Sequence, residues 1–145
     1  MYAWIGSNYT KVERTATWDY LQAFVDEARK QGLRIHAAIN TFVGGNQIDG
    51  GTGLLYRDQS KAEWATQMNM QVGITSVMNT SESTKFFNPA HPEVQTFLCD
   101  LLKDLAGYDL DGIFLDRGRF LNLQADFSEE SRKQFEEYID QMCSI

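Results

Sequence analysis

The sequence YDLDGIFLDRGRF, residues 108–120, decides the expected fold. Its centre, residues 113–115, is a short apolar and β-prone run bounded by Gly112 and Gly118. An uninterrupted apolar run between turn-forming glycines is typical of a strand buried on both faces, as in a parallel sheet. The segment therefore predicts a buried central strand that ends where the charged residues begin.

Asp116 follows this apolar run directly, and Arg117 and Arg119 come next in a glycine-containing turn. In α/β folds, ligands bind at the carboxyl ends of parallel strands. A carboxylate at that position makes Asp116 the leading candidate for catalysis. The alternative is that Asp116 pairs with Arg117 or Arg119, or caps the turn, without any chemical role.

Composition indicates one globular domain over residues 1–145, with 43% apolar and 12% aromatic residues. No apolar stretch approaches the roughly 20 residues that span a bilayer, and the first residues lack the features of a signal peptide. A net charge of −7 disfavours nucleic acid and anionic membranes as partners. A neutral ligand such as a sugar is compatible with that charge. No metal-binding cluster and no nucleotide motif is present in the sequence, so we expect no metal and no cofactor.

The first half of the chain predicts a helix followed by a strand. Apolar residues recur at helical spacing over residues 18–30, with Thr17 as N-cap and Gly32 as the stop signal. A strand is expected at 33–40, with His36 and Asn40 on its small, polar face. A further short strand is expected at residues 1–5.

The middle of the chain is harder to interpret. Residues 41–59 contain five glycines and predict a long mobile loop. Ser60 and Glu63 match a capping box for a short helix. Residues 64–78 fit either a continued helix or a hairpin that turns near residues 71–73, and we favour a strand for residues 72–78.

Two more helices frame the strand at 113–115. Pro92 at a first helical position and Gly107 at the end delimit one of them, and Ser128 caps the other, which continues as an amphipathic helix. The order is helix, strand, excursion, helix, strand, helix. This alternation predicts an α/β fold with a parallel sheet and helical crossovers.

Three consecutive features together resemble the bacterial glycosyl-hydrolase-like family ten. They are the run NPAHPEV at 88–94, the apolar helix after it, and the segment that begins with YDLDGI at 108–113 and ends in Asp116. The segment at 28–40, with its GLRIHA core, is similar to the preceding helix and strand of that family. These stretches cover roughly residues 18–139, and their order and spacing are more specific than any one of them.

The resemblance implies a (β/α)8 TIM-type barrel that acts on polysaccharide, with Asp116 as nucleophile or charge stabiliser. It also implies a bacterial secreted or cell-envelope protein. A second acid and an aromatic commonly follow the aspartate in that family, whereas this chain has Arg117 and Gly118. A full barrel needs about 250 residues, so we expect a partial barrel of about three βα units with a long loop or hairpin excursion. The second carboxylate would lie outside this chain, and the fragment alone would be inactive as an enzyme.

The candidate substrate-binding residues are His36, Asn40, Trp64, Arg117 and Arg119. Their side chains suit hydrogen bonding to sugar hydroxyls or, for Trp64, stacking on a pyranose ring. Core packing is an equally plausible role for His36 and Trp64. Asp111, at the opposite end of the strand, is interpreted as a turn or helix-terminus acceptor.

Two other functions remain open from sequence. The chain could be a carbohydrate-binding or scaffold domain without chemistry, or a small doubly wound sheet with an unrelated ligand. Three parallel strands with open edges would favour self-association, so we expect a homo-oligomer of the isolated chain.

Overall fold

The computed structural model describes residues 19–143, so the expected strand at 1–5 and the expected cap Thr17 lie outside it. The described chain mixes helices and strands, which confirms the α/β class. The α-helices are α1 Tyr20–Lys30, α2 Leu54–Arg57, α3 Pro92–Ala106 and α4 Glu129–Cys143. The strands are β1 His36–Asn40, β2 Val43–Asn46, β3 Gln67–Met70, β4 Gly73–Ser76, β5 Thr84–Phe86 and β6 Gly112–Asp116. Short 3-10 helices cover Ile48–Gly50, Gln59–Trp64 and Val77–Asn79.

The chain divides into two compact units. The described part of the first unit is residues 19–39 and 97–116, and that of the second is residues 40–96 and 117–143. The expectation that residues 1–145 form one domain stays a prediction.

Helix α1 of the first unit has well-defined caps. The N-cap is Asp19, whose side chain accepts a 3.0 Å hydrogen bond from the backbone N–H of Gln22. At the other end Gly32 has a φ of +67°, which allows Leu33 to donate back to the Ala28 carbonyl at 2.9 Å. The stop at Gly32 was therefore correctly predicted from the sequence.

Strands β1 and β6 pair in a two-stranded sheet. They begin side by side, because Asp111 donates its backbone N–H to the Ile35 carbonyl at 2.9 Å, so they run in the same direction. The strand predicted at 113–115 is confirmed, but its burial on both faces is wrong. Phe114 is 63% exposed and Leu115 49% exposed, since within residues 19–143 this sheet has no third strand.

The second unit holds two small antiparallel sheets. β2 pairs with β5, and β3 pairs with β4 as a hairpin. Gly73, with a φ of +114°, closes the hairpin turn opposite Met70. The hairpin interpretation of residues 64–78 is thus confirmed, and the helical alternative is wrong.

The expectation of a mobile loop at 41–59 is wrong. The segment folds as β2, a 3-10 turn and α2, and Leu55 of α2 is only 3% exposed. A Cβ on Gly44 would lie 2.6 Å from a side-chain carbon of Leu55, so this glycine permits close packing. The next helix, Gln59–Trp64, is capped by Asp58, which accepts from the Ser60 N–H at 3.0 Å, and the predicted capping box is replaced by this cap.

Helices α3 and α4 begin where the sequence predicts. α3 starts at Pro92 and buries its apolar residues Val94, Phe97, Leu98, Leu101 and Leu105. Ser128 caps α4, because its Oγ accepts from the Ser131 N–H at 3.2 Å. The apolar side of α4, including Phe135 and Tyr138, is exposed. No helix between residues 19 and 143 has the length and apolar character required to cross a membrane.

Candidate functional site

Asp116 is the last residue of β6, and its side chain is exposed. Arg117 follows with a φ of +52°, in the left-handed region that non-glycine residues seldom adopt. The chain therefore turns immediately after the carboxylate. The structure places Asp116 where the sequence predicts, at the carboxyl end of a strand, and its catalytic role stays a prediction.

His36 lies on the exposed face of β1, which alternates with a half-buried face along the strand. Asn40, on that same exposed face, is the last residue of β1. A Cβ on Gly112 would lie 2.7 Å from the His36 Nδ1, so the imidazole packs directly against the backbone at the start of β6. A larger residue at 112 would displace the ring.

The opposite end of the same sheet is held by Asp111. Its Oδ2 accepts from the Ile35 N–H at 2.7 Å and from Arg29 Nη1 at 2.9 Å. Arg29 also donates to Asp109, with a distance of 2.8 Å from Nε to Oδ2. The Ile35 hydrogen bond, followed by the Arg29 contact, lowers the pKa of Asp111 below its ordinary value. This confirms Asp111 as a structural acceptor; the partner Arg29 was missed by sequence reasoning.

Trp64 lies in the second unit with a side chain only 4% exposed. Its Nε1 donates to Glu93 Oε2 at 3.0 Å, and Lys61 Nζ lies 4.1 Å from the ring centroid. Phe87 packs edge-on against the ring at 6.0 Å. These contacts give Trp64 a packing role, and its stacking on a sugar stays untested.

Arg119 donates from Nη1 to the carbonyls of Phe120 and Leu121 at 2.9 and 2.8 Å. These bonds fold the arginine back onto its own loop. Among the predicted site residues, His36 and Asp116 belong to the first unit. Asn40, Trp64, Arg117 and Arg119 are assigned to the second.

Asp126, which sequence reasoning missed, is a carboxylate with five hydrogen-bond donors around it. Its Oδ1 accepts from Thr66 Oγ1 at 2.8 Å and from the Gln67 N–H at 2.6 Å. Its Oδ2 accepts from the backbone N–H of Ser128 at 3.1 Å, from the Ser128 hydroxyl, and from Ser131 Oγ at 2.7 Å. Each carboxylate oxygen therefore accepts at least two hydrogen bonds from the protein.

Burial alone raises the pKa of Asp126, because it disfavours the charged form. The hydrogen bonds from Ser128, Ser131, Gln67 and Thr66 outweigh burial, so the pKa lies below its ordinary value. Asp126 thus stays ionised at neutral pH. The available sequence signal was an aspartate two residues before the predicted cap Ser128.

An open pocket of about 320 Å³ lies beside this network in the second unit. It is lined by Pro89, Ala90, Phe120, Ala125, Asp126, Ser131 and Gln134. One wall is apolar and includes an aromatic ring. The rest of the lining, the polar wall, carries a carboxylate, a hydroxyl and an amide, a combination suited to a small polar ligand with an apolar face.

Comparison with known proteins agrees with the resemblance seen in the sequence. Residues 1–143 match the family described as Glycosyl hydrolase-like 10. The chain is 32% identical to an S-layer-related protein of Niallia circulans over 83% of its own length, and the match covers 8% of that relative. No solved structure matches the chain significantly. With nearly every residue matched, the chain belongs to the Glycosyl hydrolase-like 10 family.

Proposed function

We propose that this glycoside hydrolase-like domain acts on polysaccharide, with Asp116 as nucleophile or charge stabiliser. The observation that carries the proposal is the position of Asp116, an exposed carboxylate on the last residue of β6. Membership of a glycosyl hydrolase-like family supports the same reaction class. The substrate and the catalytic role of Asp116 are the parts proposed here.

The proposed architecture is part of a (β/α)8 barrel. α1 precedes β1 and α3 precedes β6, and the two strands pair and run in the same direction. This is the arrangement of neighbouring strands in such a barrel. A complete barrel needs about 250 residues, whereas this chain has 145.

The mechanism follows from the chemistry of glycosidic bonds. The transition state resembles an oxocarbenium ion, so the Asp116 side chain would stabilise it or attack the anomeric carbon. A second carboxyl group must lie about 5 Å away for retention, or about 6.5–9.5 Å away for inversion. We propose that it lies on a strand outside this chain, so residues 1–145 alone would not turn over.

His36, Asn40, Arg117 and Arg119 are the proposed sugar contacts. The exposed face of β1 carries His36 and Asn40, and both can exchange hydrogen bonds with sugar hydroxyls. Arg117 and Arg119 follow Asp116 in sequence and can supply donors to a neutral substrate. Trp64, which is buried, is left out of this set.

A non-catalytic carbohydrate-binding domain is the second candidate function. It is favoured by the pocket of about 320 Å³, whose lining of Phe120, Asp126, Ser131 and Gln134 does not include Asp116. Such a domain would keep the fold and bind sugar without cleaving it.

Self-association is proposed for the isolated chain. Phe114 and Leu115 are both about half exposed or more on a sheet that has two strands within the described range. Apolar strand surface beside an open edge favours pairing with another chain. Light scattering should show a dimer or larger species, and a monomer at micromolar concentration would contradict this.

The catalytic proposal is tested with Asp116→Asn, which removes the charge and keeps the shape. Hydrolysis and binding would be measured on a polysaccharide panel, in a longer protein that contains this chain. Asp140→Asn, on the exposed surface of α4, is the matched control. Turnover lost only in Asp116→Asn, with binding retained, is expected. Turnover that survives this change rejects Asp116, and binding without turnover in the unmodified protein favours the second function.

A further inference from the structure

We propose that the pocket lined by Phe120, Ser131 and Gln134 binds one neutral pyranose unit of a polysaccharide. This inference rests on the proposed carbohydrate function and concerns a binding subsite whose lining does not include Asp116. A volume of about 320 Å³ is at the small end of ligand pockets, which suits one sugar ring better than several.

The apolar wall provides a surface for stacking. Phe120 is 47% exposed, so part of its ring is available to a ligand, and Pro89, Ala90 and Ala125 extend the same lining. The C–H face of a pyranose is apolar and matches an aromatic face. A flat, fully polar ligand would gain nothing from this wall.

The polar wall is rich in hydrogen-bond acceptors. Gln134 donates from Nε2 to the Ala90 carbonyl at 3.0 Å, which directs its amide and leaves the carbonyl oxygen to accept from a ligand. Ser131 donates its hydroxyl to Asp126 at 2.7 Å, so its oxygen can likewise accept. The pocket therefore selects a ligand that donates hydrogen bonds, as sugar hydroxyls do.

The negative charge at the pocket lining distinguishes neutral sugars from anionic ones. Both oxygens of Asp126 are occupied by protein donors, yet its negative charge remains at the pocket lining. The chain as a whole carries a net charge of −7. A uronate or a sugar phosphate would be repelled, whereas an uncharged pyranoside would not. Asp126 thus acts as a positioning residue that holds Ser131 and excludes anions.

The experiment measures binding of methyl glucoside, methyl galactoside and sodium glucuronate to the 145-residue chain by ligand-observed NMR titration. The parent should bind at least one of the neutral glycosides, and glucuronate at least about tenfold more weakly. Phe120→Ala should weaken neutral-glycoside binding about tenfold through loss of stacking. Phe135→Ala is the matched control, because this phenyl group is also exposed but lies outside the pocket lining.

Gln134→Ala provides a second test should Phe120→Ala disturb folding, and the expected loss is again severalfold. Parent-like binding in either folded variant overturns the proposal. So does a parent that binds neither neutral glycoside, or one that binds glucuronate as tightly as the glycosides. The two proposals fail separately. Absent turnover in the unmodified longer protein, together with glycoside binding that depends on Phe120, rejects the hydrolase and retains the pocket.

Discussion

The backbone N–H of Gln67 donates a 2.6 Å hydrogen bond to the Asp126 carboxylate, across 59 residues of sequence. The return contact runs from the Phe127 N–H to the Gln67 carbonyl at 3.0 Å. Together these bonds join the first residue of β3 to the loop that precedes α4. One carboxylate therefore fixes both the hairpin and the wall of the pocket in the second unit.

Asp126→Asn should destabilise the second unit by about 2–3 kcal/mol. The amide nitrogen of asparagine must face at least one of the donors that now point at Asp126, and a buried donor without an acceptor is costly. Thr66, only 1% exposed, cannot turn to water instead. Urea denaturation would measure the loss, with Glu137→Gln on the exposed surface of α4 as control. Equal stability in the two variants would contradict the proposed function of the network.

The Asp126 carboxylate makes the free energy of unfolding depend on pH in the acidic range. Its pKa in the folded protein lies below its ordinary value, so folding holds fewer protons on Asp126 than the unfolded chain does. The stabilisation is complete well above the unfolded pKa of about 3.9 and is lost as pH falls through the folded pKa. Denaturation midpoints between pH 6 and pH 3 should therefore fall more steeply for the parent than for Asp126→Asn. Parallel curves would exclude this contribution.

Helices and strands with strong local signals could be predicted from the sequence. Pro92 and Gly107 bound α3, and the apolar run at 113–115 forms β6, because start signals, stop signals and periodicity act over a few residues. Burial could not be predicted in the same way. The exposure of Phe114 depends on how many strands join the sheet, which no local pattern records.

Glycine content was misleading for residues 41–59 because glycine serves both flexibility and close packing. At Gly53 an added Cβ would lie 2.6 Å from the Gly44 carbonyl oxygen and 2.6 Å from the Gly45 Cα, so the neighbouring backbone leaves no room. A sequence shows the glycine and not the atoms that surround it. Packing of this kind is visible only in three dimensions.

Gly53→Ala should cost about 3 kcal/mol, and Gly50→Ala about 1 kcal/mol, of unfolding free energy. Both glycines have positive φ, +99° and +83°, and such backbone conformations cost alanine about 1–3 kcal/mol. Only Gly53 also meets backbone atoms, and overpacking adds about 1–3 kcal/mol. Urea titrations of the two variants provide a matched pair. Equal losses would indicate that residues 41–59 are the loose loop expected from the sequence.

The candidate site was predictable only where its residues are contiguous. Asp116 could be found because it directly follows the apolar run that forms its own strand. Asp126 and Arg29 escaped detection because their partners are far away in sequence: Gln67 for Asp126, and Asp109 and Asp111 for Arg29. Hydrogen bonds between such distant segments leave no spacing pattern in a single sequence.

Asp111→Ala should loosen the start of the β1–β6 pairing more than Asp109→Ala does. Asp111 accepts from both the Ile35 N–H and Arg29, whereas Asp109 accepts from Arg29. Both side chains contact the same guanidinium, so the difference isolates the bond to the β1 backbone. Amide hydrogen exchange at Ile35 should accelerate about tenfold or more in Asp111→Ala and less in Asp109→Ala. Similar exchange in both variants would assign the stabilisation to Arg29 alone.

Because of Lys85, the free energy of unfolding should rise as the pH becomes alkaline. The side chain is 1% exposed, and Nζ donates to the carbonyls of Val77 and Thr80, both at 3.0 Å. Burial lowers the pKa of Lys85, and the charge of Glu82 only partly opposes this shift. Between the folded pKa and the unfolded value of about 10.4, the unfolded chain binds more protons, so unfolding free energy rises with pH across that window.

Lys85→Met keeps the side-chain volume and removes the titrating group, so the stability of this variant should lack the rise. The exposed Lys133→Met should retain it. Urea midpoints from pH 7 to pH 10.5 measure both, and an identical rise in Lys85→Met would assign the effect to another group.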